Sequence, residues 1–193
     1  MMTQAQMTTY TMEAFVEDVK EVFKTERDPH KQAQAVSGFM KELLAVPGWL
    51  EEKLELTEEG GYGRYSLYLG EDNGHPGNGW YLMASVQKPG QDNLPHDHGV
   101  TWVVYGVYQG AIRQRKWRWA FPGEGVDHAQ IVEHGSFVQR DGTVAYFMPG
   151  EIHDTLNVAD GRSLVVRLES QKLDRVTRFQ YNPQTGTMMV MDR

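Results

Sequence analysis

The 193-residue sequence predicts a mainly β barrel or sandwich preceded by a helical segment, on three observations. Residues 12–54 repeat apolar side chains at helical spacing, then the character changes after Glu59-Gly60-Gly61. From there on, short runs rich in Val, Tyr, Trp and Phe alternate with Gly, Pro, Asp and Asn, as many short strands joined by turns require. Finally, Pro95-His96-Asp97-His98-Gly99, with Pro149-Gly150-Glu151-Ile152-His153 some way downstream, offers three imidazoles that a small barrel can collect.

The helical part reads in order. Met12, Phe15, Val16, Val19, Val22 and Phe23 form one apolar stripe, with Thr11 as N-cap. Asp28-Pro29 starts a second helix, Pro occupying the first turn, and Ala33, Val36, Phe39, Met40, Leu43 and Leu44 give it an apolar face. Pro47-Gly48 ends it, and a shorter helix follows over 49–54. Strands are expected at 65–69, 80–87, 101–108, 111–120, 129–134, 143–148, 154–158, 163–168 and 178–181. Turn signals at Asp72-Asn73-Gly74, Pro89-Gly90, Pro122-Gly123, Asp141-Gly142 and Asp160-Gly161 separate them. One domain is expected over 1–193, with helices in 1–58 packing on a barrel in 60–182.

Composition narrows the function. A net charge of −7 argues against nucleic acid or an anionic membrane as the main partner and favours a small ligand. There is no cysteine, so neither disulfide nor thiolate chemistry is available to the chain itself. No apolar run approaches the roughly 18 residues of a membrane span, and Met1 to Met7 is polar. A cytoplasmic monomer or homodimer is the default expectation. The basic run Arg113, Arg115, Lys116 and Arg118, interleaved with Trp117 and Trp119, reads as a solvated strand face, and His75, His128 and His134 read as surface residues.

The chemistry resides in the histidines. Residues two apart on a strand share a face, so His96 and His98 can present both rings to one side, and His153 can join them from a neighbouring strand. Three neutral imidazoles without an anionic ligand suit a divalent transition metal and leave coordination positions open.

Two segments carry a resemblance. Gly90-x5-His96-x-His98 followed by Gly110, and Gly142 through Pro149-Gly150, His153 and Asn157, resemble the two motifs of the cupin superfamily. The resemblance spans about residues 60 to 170 and implies a double-stranded β-helix, or jelly-roll, barrel. The glutamate ligand usual in the first motif is missing, since Trp102 and Val103 stand at its place. In that respect the chain is similar to the cysteine dioxygenase-like thiol dioxygenases. That likeness implies Fe(II) as cofactor, a small thiol such as cysteine or a mercapto-acid and O2 as substrates, and a sulfinate product. It also implies that Arg64, in Tyr62-x-Arg64-x-x-Leu67, pairs with a substrate carboxylate, assisted by Tyr62.

The chain departs from that family in two places. Val103 stands where animal members carry a cross-linked cysteine. Where the family has Ser, His and Tyr on alternate residues, this chain has Val165, Arg167 and Glu169. Arg167 and Glu169 either point inward as a buried pair or outward as a surface bridge. Tyr105, if inward, could contact substrate, with Ser85 and Gln87 on the opposite wall. Two other readings stay open: a three-histidine dioxygenase cleaving a carbon–carbon bond in a diketone, and a cupin that only binds metal or a small ligand.

Overall fold

The computed structural model describes residues 10–56, 60–71, 78–120 and 130–191. Helix α1 (Met12–Thr25) is capped by Thr11, whose side chain accepts from the Ala14 amide. Helix α2 (Pro29–Leu44) is capped by Asp28, which accepts from the amides of His30 and Lys31. Each cap is worth about 1 kcal/mol. A short α3 (Trp49–Leu54) follows. Among the described residues no helix is long and apolar enough to cross a membrane.

Eleven strands follow among the described residues: β1 (Gly63–Leu69), β2 (Tyr81–Gln87), β3 (Asp92–His96), β4 (Val103–Gln109), β5 (Ala111–Trp119), β6 (Ile131–Arg140), β7 (Val144–Phe147), β8 (Ile152–Asn157), β9 (Ser163–Glu169), β10 (Phe179–Asn182) and β11 (Thr187–Val190). They form two sheets, ordered β1-β2-β9-β4-β7 and β11-β10-β3-β8-β5-β6. Four antiparallel pairs define the architecture: β2 with β9, β3 with β8, β4 with β7, and β5 with β6. They are successive rungs of one long hairpin ribbon whose tip is β5–β6. The ribbon winds so that alternate rungs fall in opposite sheets, which is a double-stranded β-helix.

The helices decide which way the first sheet faces. Phe15, Val19, Phe23, Val36, Met40 and Leu43 pack against Leu82, Ala84, Val86, Val104, Leu164, Val166 and Leu168 in one buried cluster. Burying each such side chain contributes about 1.5–3 kcal/mol. Trp102 joins this side and stacks on Phe23 at 5.7 Å between ring centroids. Since side chains alternate along a strand, Met83, Ser85 and Gln87 of β2, Val103, Tyr105 and Val107 of β4, and Val165, Arg167 and Glu169 of β9 are left for the barrel interior.

Apart from shifts of one or two residues at strand ends, one of which brings His153 inside β8, the expected strands differ from the observed ones at three points. β3 falls in a stretch read as loop, because Asp92, Asn93 and Pro95 are poor strand formers. β6 runs to Arg140 rather than ending at His134. The second sheet continues through β11, which pairs with β10 past residue 182. The turn signals at Asp72-Asn73-Gly74 and Pro122-Gly123, together with His75 and His128, lie outside the described residues.

Candidate metal centre

His96, His98 and His153 converge, each offering a ring nitrogen within 4.8 Å of the others. His96 closes β3 and His153 lies opposite it in register on β8. His98 arrives differently from the expectation. It is not on the strand with His96; β3 ends at His96, and His98 lies in the turn that follows. Its position comes from Asp97, whose carboxylate accepts from the Tyr181 hydroxyl at 2.6 Å and from the amides of Gly99 and Phe179 at 2.9 and 3.2 Å. The buried Asp97 thereby ties the turn to β10 and leaves both neighbouring imidazoles aimed into the barrel.

The ring nitrogens are sorted by their partners. Nδ1 of His96 lies 2.9 Å from the Leu94 carbonyl oxygen, and Nδ1 of His153 lies 2.9 Å from Oε1 of Gln114. Both contacts need the proton on Nδ1, so each Nε2 carries a lone pair. Nε2 of His153 is only 3.2 Å from Nε2 of His98. His98 and His153 are fully buried. Burial pushes the His96 pKa down to about 4, and burial holds His98 and His153 well below the ordinary imidazole value, with the neighbouring histidines adding to the effect. Lone pairs crowded together with protonation suppressed fit a metal cation, and three nitrogens with no carboxylate fit a transition metal. Phe147 stacks on His153 at 3.9 Å between centroids, which closes one side.

Gln114 and Gln139 escaped the sequence reading. Gln114 projects inward from β5, and its amide donates to Oε1 of Gln139 at 2.8 Å. Gln139 in turn donates to the Tyr105 carbonyl at 3.1 Å. Both side chains are 2% exposed or less. The available signal is alternation: Ile112, Gln114 and Lys116 share a face, so an uncharged amide interrupts the basic run on the inward side.

Opposite the histidines, Met83, Arg167 and Tyr105 form one row across β2, β9 and β4. Arg167 and Glu169 take the inward orientation and pair with each other. Glu169 also accepts from the Leu173 amide at 2.8 Å. Arg167 lies 3.4 Å from the Tyr105 hydroxyl, which lies 3.3 Å from Nε2 of His98. A cavity of about 320 Å³ opens above this row, lined by His96, Tyr105, Arg64, Ser85, Gln87 and Arg167 among others. Arg64 reaches it from β1, in register with Ser85. Tyr62 does not line it; it is 45% exposed and stands under the Lys88 ammonium, 5.5 Å away. His134 is exposed.

No family model matches the chain, and no curated protein matches it in sequence. Among solved structures it is similar to an uncharacterized conserved protein with a double-stranded beta-helix domain from Klebsiella pneumoniae, at 14% identity and a TM-score of 0.41 over 75% of this chain and 95% of that one. It is also similar to the Schizosaccharomyces pombe Cnp3 cupin domain, at 10% identity and a TM-score of 0.44 over 62% and 67%. A third similarity is to an oxalate oxidase in complex with glycolate, at 20% identity and a TM-score of 0.41 over 62% and 57%. With the rung order of its own ribbon, this chain has the cupin fold, and its interior holds a three-histidine cluster fit for a metal ion, with His98 and His153 buried and His96 half-buried at the cavity wall.

Proposed function

We propose that the protein is a mononuclear non-haem Fe(II) dioxygenase that converts a small carboxylate-bearing thiol, cysteine or a related mercapto-acid, to its sulfinate. The observation that carries this reading is the three-histidine cluster at the wall of a polar cavity that contains arginine. A ferrous ion held by His96, His98 and His153 would supply coordination positions for substrate and O2 together and would retain its full +2 charge, which an anionic thiolate offsets.

The chain's own residues position the substrate. The Arg64 guanidinium binds the substrate carboxylate, for which its paired donors are suited. The Tyr105 hydroxyl accepts from Arg167 and lies 3.3 Å from Nε2 of His98, which leaves its own proton to donate beside the reacting atoms. The buried Arg167–Glu169 pair forms the wall behind it and takes the place of the neutral hydrogen-bonding triad of the thiol dioxygenases. The balance is RS⁻ + O2 → RSO2⁻: two S–O bonds form, the O–O bond breaks, and sulfur supplies all four electrons, so no external reductant enters.

The test is O2 consumption by the anaerobically purified, Fe(II)-loaded protein across a panel of small thiols and diketones. Uptake with a thiol acid, yielding its sulfinate and lost on His96→Ala, supports the proposal. Uptake with diketones alone transfers the site to carbon–carbon cleavage. No uptake despite one iron per chain makes it a binding protein.

A further inference from the structure

The cavity above the histidines carries more positive charge than one carboxylate can neutralise. Among the described residues, three arginines line it: Arg64, Arg167 and Arg178, the last directly preceding β10. Among the described residues lining it there is no Asp or Glu. Arg167 is held by Glu169. Neither Arg64 nor Arg178 has an ion-pair partner among the described residues.

Arg178 is the more unusual of the two. It is half-buried, and among the described residues its Nη1 donates only to the thioether of Met191 at 2.9 Å and its Nε is buried without a partner. Thioether sulfur is a weak acceptor. Burial, then the charges of Arg167 and Arg64, lowers the pKa of Arg178 from its usual value, yet a guanidinium stays protonated at neutral pH. A fixed cation that is short of acceptors and faces a cavity calls for an anion there. Arg64 and Arg178 also approach from different sheets, β1 belonging to the first and β10 to the second. They can therefore grip two separate groups. Among the described residues, counting Glu169 against the three arginines leaves two positive charges, one more than a monocarboxylate offsets.

Resting on the cavity being the substrate site, we propose that Arg178 is a specificity-determining residue and that the ligand carries two carboxylate-like anionic groups, one bound by Arg64 and the other by Arg178. The ligand class is a small dianionic acid whose remaining donor atom reaches the metal, which narrows the proposed thiols to mercapto-acids with two such groups and sets cysteine aside.

The test is calorimetric binding of succinate and of propionate to the full chain stripped of metal, so that neither carboxylate can coordinate an ion. Succinate binds about tenfold tighter or more, the margin one charge-assisted contact supplies. Arg178→Gln removes that margin and changes propionate binding by less than about threefold. Arg178→Lys, which keeps the charge but loses the planar fork, gives an intermediate margin. Arg118→Gln, on the exposed end of β5, alters neither ligand. Equal binding of the two acids by the native chain overturns the proposal without any variant, and so does an Arg178→Gln chain that weakens both alike. Neither result depends on turnover, so failure of thiol oxidation and failure of the dianion preference are read separately.

Discussion

Nδ1 of His153 lies 2.9 Å from Oε1 of Gln114, and the amide nitrogen of Gln114 is itself committed to Gln139 at 2.8 Å. The second contact keeps the first amide from turning over, because only its oxygen is left to face the imidazole. His153 is thereby held in one tautomer, with Nε2 toward the cluster. Partners of this kind typically contribute 10–100-fold to metal affinity. Gln114→Leu is accordingly expected to weaken metal binding by about that factor while the fold persists. Competition against a calibrated chelator reads the change; affinity equal to the native chain would remove Gln114 from the site.

Arg167 and Glu169 present a pair whose halves are worth little alone. Glu169 is 2% exposed, so removing Arg167 strands a buried carboxylate, whereas removing both replaces the pair with apolar surface. Arg167→Met is therefore expected to cost about 3–5 kcal/mol, and Arg167→Met with Glu169→Leu considerably less. Urea denaturation of the three chains measures it. A double variant no more stable than the single one would mean that the Glu169–Leu173 amide contact, not the pair, is what the fold needs.

The inward turn of Arg167 and Glu169 was present in the sequence as an alternative, and the deciding information lay elsewhere in the chain. Leu164, Val166 and Leu168 must meet the helices, which sends the odd-numbered residues of β9 inside. A sequence pattern shows alternation but not which face the helices will cover. The three histidines and most of the strands were legible because their signals are local: spacing, turn residues and β-branched runs. Gln114, Gln139 and Arg178 were not, since an amide or arginine on a strand looks the same whether it meets water or an imidazole. β3 was hidden for the opposite reason. Its residues have poor strand propensity, and it forms through pairing with β8 and β10. Even Asn157, readable as part of a motif, works by closing loops: its amide donates to the carbonyls of Gln87, Lys88 and Gly161.

The depressed histidines fix the acid limb of stability. In the unfolded chain His96 takes up its proton near 6.5, whereas in the folded chain it stays neutral until about 4. Between these values the unfolded state binds more protons, so stability falls as pH falls. His98 and His153 are shifted in the same direction and add to the slope. The metal-free protein is expected to keep its melting temperature above pH 6.5 and to lose it progressively toward pH 4, with saturating metal opposing the loss at the upper end of that window. Scanning calorimetry across the range, with and without metal, checks both the window and its direction.

Gly99 sets how closely the histidine turn can approach β10. Its φ is +58°, in the left-handed region, and a Cβ there would overlap the Thr177 carbonyl oxygen and crowd Val176. The obstruction is backbone, so relief has to come from moving the turn itself. That turn carries His98, and Asp97 fastens it to Tyr181 and to the amides of Gly99 and Phe179. Gly99→Ala should therefore both destabilise the chain by about 1–3 kcal/mol and lower metal affinity, because His98 is displaced while His96 and His153 remain paired across β3 and β8. Gly142→Ala provides the comparison: its φ of +74° is strained for a side chain, yet nothing lies within 4 Å of the added Cβ. It should cost stability without touching the metal. Measuring both properties on both variants separates backbone strain from displacement of a ligand, and loss of stability in Gly99→Ala with metal affinity intact would mean that Asp97 alone holds His98 in place.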